Sequence, residues 1–249
     1  MSALALSCLI FVLTLGGILL GSLLRRALPE HHLSKDSQDV VRLGVGLIAT
    51  LAALLLGLLI AAAKSSFDTQ STQVTQITAD IILLDRLLAQ FGPEARPIRQ
   101  QLRSAIGPFA DQLWREKQAS AATPFEANAS AEQVYLAVQG LSPQNDLQRA
   151  LQTRAAQVSN DLAQTRLLLF AESGNVIPAP FLTILVLWLV IIFASFSLFS
   201  VLNATVFICL SLFALSASCA IFLILELSQP FSGLMAISSE PLRHALGPL

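Results

Sequence analysis

Four apolar runs, each about as long as a bilayer core is thick, constrain this chain more than any other feature. They occupy residues 4–24, 43–63, 181–201 and 205–227. A helix rises ~1.5 Å per residue, so about 20 apolar residues cross a hydrocarbon core of ~30 Å. Only 12% of the residues are charged, and the runs carry the deficit. The expected fold class is an all-α membrane protein: four transmembrane helices with a long helical soluble insert between spans two and three. The chain then divides into a first transmembrane hairpin (1–63), the insert (64–179), a second hairpin (180–227) and a C-terminal Pro-Phe turn with a tail (228–249).

The first run is retained rather than cleaved, because its basic pair, Arg25 and Arg26, follows the apolar stretch instead of preceding it. It carries Gly17 and Gly21, a small-xxx-small spacing that lets another helix approach closely. Run two carries a stripe of small residues: Gly46, Thr50, Ala53, Gly57 and Ala61. Spacings of three and four place them on one helix face. That face fits a packing seam against another span, or a strip facing a lumen. Runs three and four are separated by only three residues, which makes a tight helical hairpin, and their serines are suited to hydrogen bonds across helices.

No proline interrupts residues 43–91, so the second span has no reason to stop at the membrane. Beyond it Phe67, Val74, Ile81 and Leu88 recur every seven residues, with Gln70, Ile77, Leu84 and Phe91 in the second heptad position. This is a sustained a/d seam, ended by Gly92-Pro93. A helix over about 94–117 buries Ile98, Leu102, Ile106, Phe109 and Leu113, with a kink expected at Gly107-Pro108. Its Arg96, Arg99 and Arg103 share a face suited to pairing with nearby acids or to an anion or lipid headgroup. Residues 118–130 read as a loop and 131–139 as a short helix. Ser142-Pro143 reads as a cap and first residue of the next helix, with Leu147, Leu151, Ala155, Val158, Leu162 and Leu169 in register.

The insert holds ten Lys/Arg against eleven Asp/Glu, and the whole chain has net charge −1. No basic patch for nucleic acid results. Cys8, Cys209 and Cys219 all lie inside apolar runs, which suits packing rather than a disulfide framework. His31 and His32 stand beside acids in the first loop, without a defined ligand spacing. Asn128-Ala-Ser130 matches a glycosylation sequon. No nucleophile constellation or phosphate loop is present, so neither an enzyme nor a cofactor is expected, and no metal site. Short-loop charges number four beside the first loop (Arg25, Arg26, Lys35, Arg42) against three on the other side (Lys64, Arg166, Arg243). By the positive-inside rule that leans towards an insert outside the cytoplasm.

The order of elements, together with "LLLGLLIAAAKSSFD" (54–68), "ARPIRQQLR" (95–103) and "ILELSQPFSGLMAISSEPL" (224–242), resembles the bestrophin-like family of bacterial membrane proteins, itself distantly similar to bestrophin anion channels. The resemblance implies a homo-oligomer, a pentamer in bestrophins, in the bacterial inner membrane with a cytoplasmic insert. It implies a pore lined by the second span, with the lipid bilayer, copies of the chain and inorganic anions as partners. Leu56-Gly57 is similar to the pair at the bestrophin neck. The matching pore-lining candidates are Thr50, Leu54, Gly57 and Leu58, where an apolar constriction gates by dewetting. Glu226, Pro230, Phe231 and Gly233 form a candidate turn at the membrane interface. Glu226 ends span four, and Phe231 is expected among headgroups. Two departures stand out. Only one acid, Glu240, follows the Pro-Phe turn, where calcium-gated bestrophins hold an acidic cluster, and leucines stand where bestrophin necks have aromatics. The rival reading is a non-conducting scaffold or signalling protein whose helical stalk binds partners through its heptad seam.

Overall fold

The computed structural model describes residues 2–29, 34–115, 124–171, 178–201 and 203–246. His31, His32 and Leu202 lie outside them, as do the side chains of the expected sequon. The helices are α1 (Ala3–Ala27), α2 (Lys35–Phe91), α3 (Arg96–Arg115), α4 (Pro124–Gln139), α5 (Asp146–Ala171), α6 (Ala179–Phe199), α7 (Ala204–Leu227) and the single turn α8 (Glu240–Arg243). Four of them, α1, α2, α6 and α7, are long and apolar enough to cross a membrane. The protein is an all-α membrane protein, and α2 runs unbroken from the second span into the segment beyond it.

The chain forms two compact units, Met1–Ser66 with Asn175–Ser228, and Phe67–Gly174 with Gln229–Leu249. In the first, α1 packs on α6 and α7. The small-xxx-small pair makes the approach possible. A Cβ added at Gly17 would stand 2.9 Å from the Val190 carbonyl oxygen, and one at Gly21 only 2.1 Å from that of Ala194. Ile18, Phe193, Leu210 and Ala214 fill the centre of this unit. The hairpin serines do not bond across helices as expected. Ser195 Oγ donates to the Ile191 carbonyl of its own helix at 2.8 Å. Ser197 and Ser218 are buried with no hydroxyl partner among the described residues. A serine's own i−4 carbonyl is always within reach in a helix, and this local bond competes with any interhelical one.

In the second unit the heptad face of α2 is the spine of the core. Val74, Ile77 and Ile81 pack with Ile106, Phe109, Leu113, Leu162 and Leu169. Leu84, Leu88 and Phe91 pack with Ile98, Leu102, Val134, Ala155 and Val158. Gly92, at φ 131°, leads into a 3₁₀ turn, Pro93–Ala95, that redirects the chain into α3. That φ is open to glycine and strained for other residues.

Two boundaries differ from those expected, and one residue leaves the expected register. Helix α4 begins at Pro124, inside the expected loop, because a proline is pre-shaped for a first helical turn. Helix α5 begins at Asp146 rather than at Pro143. Its cap is Asn145, whose side chain accepts from Gln148 N at 2.8 Å, a better N-cap arrangement than Ser142 offers from outside the helix. Leu147 is exposed rather than in the buried register. At this first turn Gln148 faces the core end instead, donating to the orphan carbonyl of Phe91 at 2.8 Å.

Candidate functional site

Helix α2 shows two characters along its length. In the second unit its heptad face is buried. In the first, only Val45, Ala52, Leu59 and Ala63 are buried, and the rest of the circumference is half-buried or open. Thr50, Leu54, Gly57 and Leu58 share an open face, related by i, i+4, i+7 and i+8. Leu54 is 67% and Leu58 65% exposed, values that leave both side chains without cover from their own chain. Leu43, Leu47 and Leu51 extend the same strip and are exposed too. Thr50 Oγ1 donates to the Gly46 carbonyl at 2.9 Å, which turns its methyl group outward. Apart from adjacent residues and the backbone of α2 itself, no atom lies within 4 Å of a Cβ built on Gly46 or Gly57. The small-residue stripe therefore makes no seam within the chain, in contrast to Gly17 and Gly21.

The C-terminal residues separate. Glu226 lies in the last turn of α7 and is almost fully buried in the first unit. Pro230, Phe231 and Gly233 belong to the second unit. Phe231, expected among headgroups, is 3% exposed and sits in the helical core. Its ring meets that of Trp114 edge-on, centroids 5.3 Å apart. A tight turn makes this possible. Gly233 adopts φ 93°, Ile237 N donates to the Pro230 carbonyl at 2.7 Å, and Trp114 Nε1 donates to the Ile237 carbonyl at 2.8 Å. Arg243 pairs with Asp111 at 2.6 Å, and Leu242 is fully buried. A phenylalanine after a span reads as an interfacial anchor by sequence. The aromatic and apolar surface of α3 offers it a drier site.

Three charged groups of the second unit were not legible as buried. Asp85 is held between Arg99, at 2.8 Å through two parallel hydrogen bonds, and Arg103, at 3.6 Å. The Arg99 hydrogen bonds hold its carboxyl below the usual carboxylate range. Two of the three arginines on that face of α3, Arg99 and Arg103, are thus committed to an acid. Asp80 accepts from Gln76 Nε2 at 2.9 Å, but burial pushes its carboxyl up. The sequence places Arg166 among the membrane-flanking charges. It is 6% exposed, stacked 4.1 Å over the Phe109 ring, and burial pulls its guanidinium down to about 10. It lines a small cavity of about 30 Å³ with Ile77, Phe109 and Ser159. Arg166 fills the gap in the apolar register of α5 between Leu162 and Leu169, and its methylene stem suits that face.

The comparisons with known proteins agree with this architecture. Crystal structures of two single-substitution variants of a bacterial bestrophin homologue from Klebsiella pneumoniae superpose on it with TM-scores of 0.68 and 0.67, each at 14% identity. The first covers 95% of this chain and 94% of the homologue, the second 97% and 99%. At that identity the likeness speaks for the fold. Among curated proteins none matches the chain. The family model of the bestrophin-like domain matches residues 11–242, from the first span to the buried Leu242. The chain therefore belongs to the bestrophin-like family.

Proposed function

We propose that the protein is an oligomeric membrane channel that conducts anions through a pore lined by the Thr50, Leu54, Gly57 and Leu58 face of α2. The observation that carries this reading is the exposure of that strip, apolar or small throughout and uncovered by the chain's own helices. Apolar surface of that kind in a membrane protein faces lipid, another copy, or a lumen that copies enclose. The family likeness favours copies of α2 around a shared axis, five in number. Leu54 and Leu58, one turn apart, then form rings whose constriction gates by dewetting. The inner membrane and a cytoplasmic second unit are part of the same proposal. They rest on the family likeness, and the short-loop charges lean the other way.

Purified protein in planar bilayers is expected to give anion currents, and Leu58→Ala, which widens the ring, to raise unitary conductance or open probability. Absence of current from the wild-type protein across voltages and anions overturns the proposal. The scaffold reading drew on the heptad seam as a partner-binding surface. Because that seam is spent on the core of its own unit, the observation that favoured it no longer does.

A further inference from the structure

A second feature of the first unit lies away from the proposed pore strip. Between the start of α2 and the end of α6 runs a half-open groove of about 500 Å³, within the ~300–1,000 Å³ range of ligand sites. Its lining changes character along its length. Gln38, Arg42 and Ser200 stand at one end beside Val41 and Phe199, while Val45, Ala49 and Phe196 line the other, where the Ser195 hydroxyl is already bonded to the Ile191 carbonyl of its own helix. The two helices enter this gradient consistently. Gln38 and Arg42 precede the apolar stretch of α2, and Ser200 caps α6 where the third span ends. From Gln38 to Ala49 the axis advances roughly 16 Å at ~1.5 Å per residue. The polar end is therefore at headgroup depth and the apolar end at acyl depth.

Arg42 is not committed elsewhere. Its contact with Asp39 is long, at 3.9 Å, and both side chains are highly exposed, the kind of surface pair that adds little. We propose that this groove holds one anionic phospholipid, its phosphate against Arg42 and Gln38 and an acyl chain along Val45, Ala49 and Phe196. Charge complementarity selects the lipid class. A basic group at the mouth of an apolar cleft between spanning helices attracts an anionic headgroup, and a zwitterionic lipid brings no net charge to it. The site does not depend on whether α2 conducts.

The test uses the full chain in detergent, with native mass spectrometry after addition of phosphatidylglycerol or phosphatidylcholine. Phosphatidylglycerol is expected to survive collisional activation better than phosphatidylcholine. Arg42→Gln is expected to lower its retention about fivefold, the loss of one basic group at a membrane surface, with phosphatidylcholine unchanged. Equal retention of the two lipids, or no effect of Arg42→Gln, overturns the proposal. So does displacement of the lipid by inorganic phosphate at equal concentration, which would make the ligand a free anion. A photoreactive residue at position 49, with Arg42 intact, gives an independent reading. A cross-link to lipid supports the site, and a cross-link to a second copy shows that the groove is an interface and sinks it.

Discussion

At the scale of single residues, glycines of the spans divide into those that touch and those that do not. Gly21 lies against the α6 backbone and has no room for a methyl group, whereas Gly16, one position before Gly17, has nothing within 4 Å of its missing Cβ. Gly21→Ala is expected to destabilise the first unit by about 1–3 kcal/mol, the usual result of overpacking. Gly16→Ala should be neutral or stabilising by up to ~1 kcal/mol, since alanine is the better helix former. Thermal unfolding of the two variants in detergent checks the contrast. Acids of the second unit divide in a similar way. Asp85 is stabilised as the anion by Arg99, so its contribution is fully present above the unfolded carboxylate range and lost as pH falls through its lowered native value. Asp80 is the opposite case. Burial raises its native value, with Gln76 opposing and Asp161 adding to the shift. It favours folding at low pH and opposes it once pH rises through that raised value. Asp80→Asn keeps an acceptor for Gln76 and removes the buried charge. It should raise the melting temperature at pH 7, with the gain vanishing towards pH 3. A lower melting temperature at pH 7 would contradict this account.

At the scale of elements, α2 is one helix with two environments. The seven-residue repeat was legible because each of its members from Gln70 to Phe91 is buried. What it packs against was not. The period of a seam says that a helix face is covered, and it is the same for a coiled-coil partner as for neighbouring helices of one's own chain. Here the cover is α3, α4 and α5. Leu84 is fully buried in that core, and Leu84→Ala should cost about 2–5 kcal/mol through lost burial and the cavity left behind. Denaturant unfolding followed by the fluorescence of Trp114, which sits in the same unit, measures it. The start of α5 differs from its expected place for a reason of the same kind. Ser142-Pro143 has the right local chemistry for a helix start, but Asn145 wins by capping the turn that also places Gln148 on the Phe91 carbonyl.

At the scale of the molecule, the proposed channel requires copies of the chain to meet around the exposed strip of α2. A helix that will face a neighbour or a lumen keeps its apolar and small residues uncovered until copies assemble. The expected outcome for the purified protein is a symmetric particle, a pentamer, with α2 nearest the axis. Single-particle imaging in detergent or nanodiscs decides it. Lone subunits, or α1 or α6 at the centre, would remove the basis for conduction.

The four spans, the unbroken α2 and the all-helical class were determined by sequence alone. Lipid leaves a backbone no alternative partners for its polar groups, and apolar length and the absence of proline are one-dimensional properties. The fate of particular side chains was decided only in three dimensions. Phe231 is in a dry core rather than at the headgroups, Arg166 lies under an aromatic ring, and Gly21 meets a carbonyl while Gly57 meets open space. Burial is a property of what arrives from elsewhere in the chain. A residue's own neighbours in sequence carry no record of it.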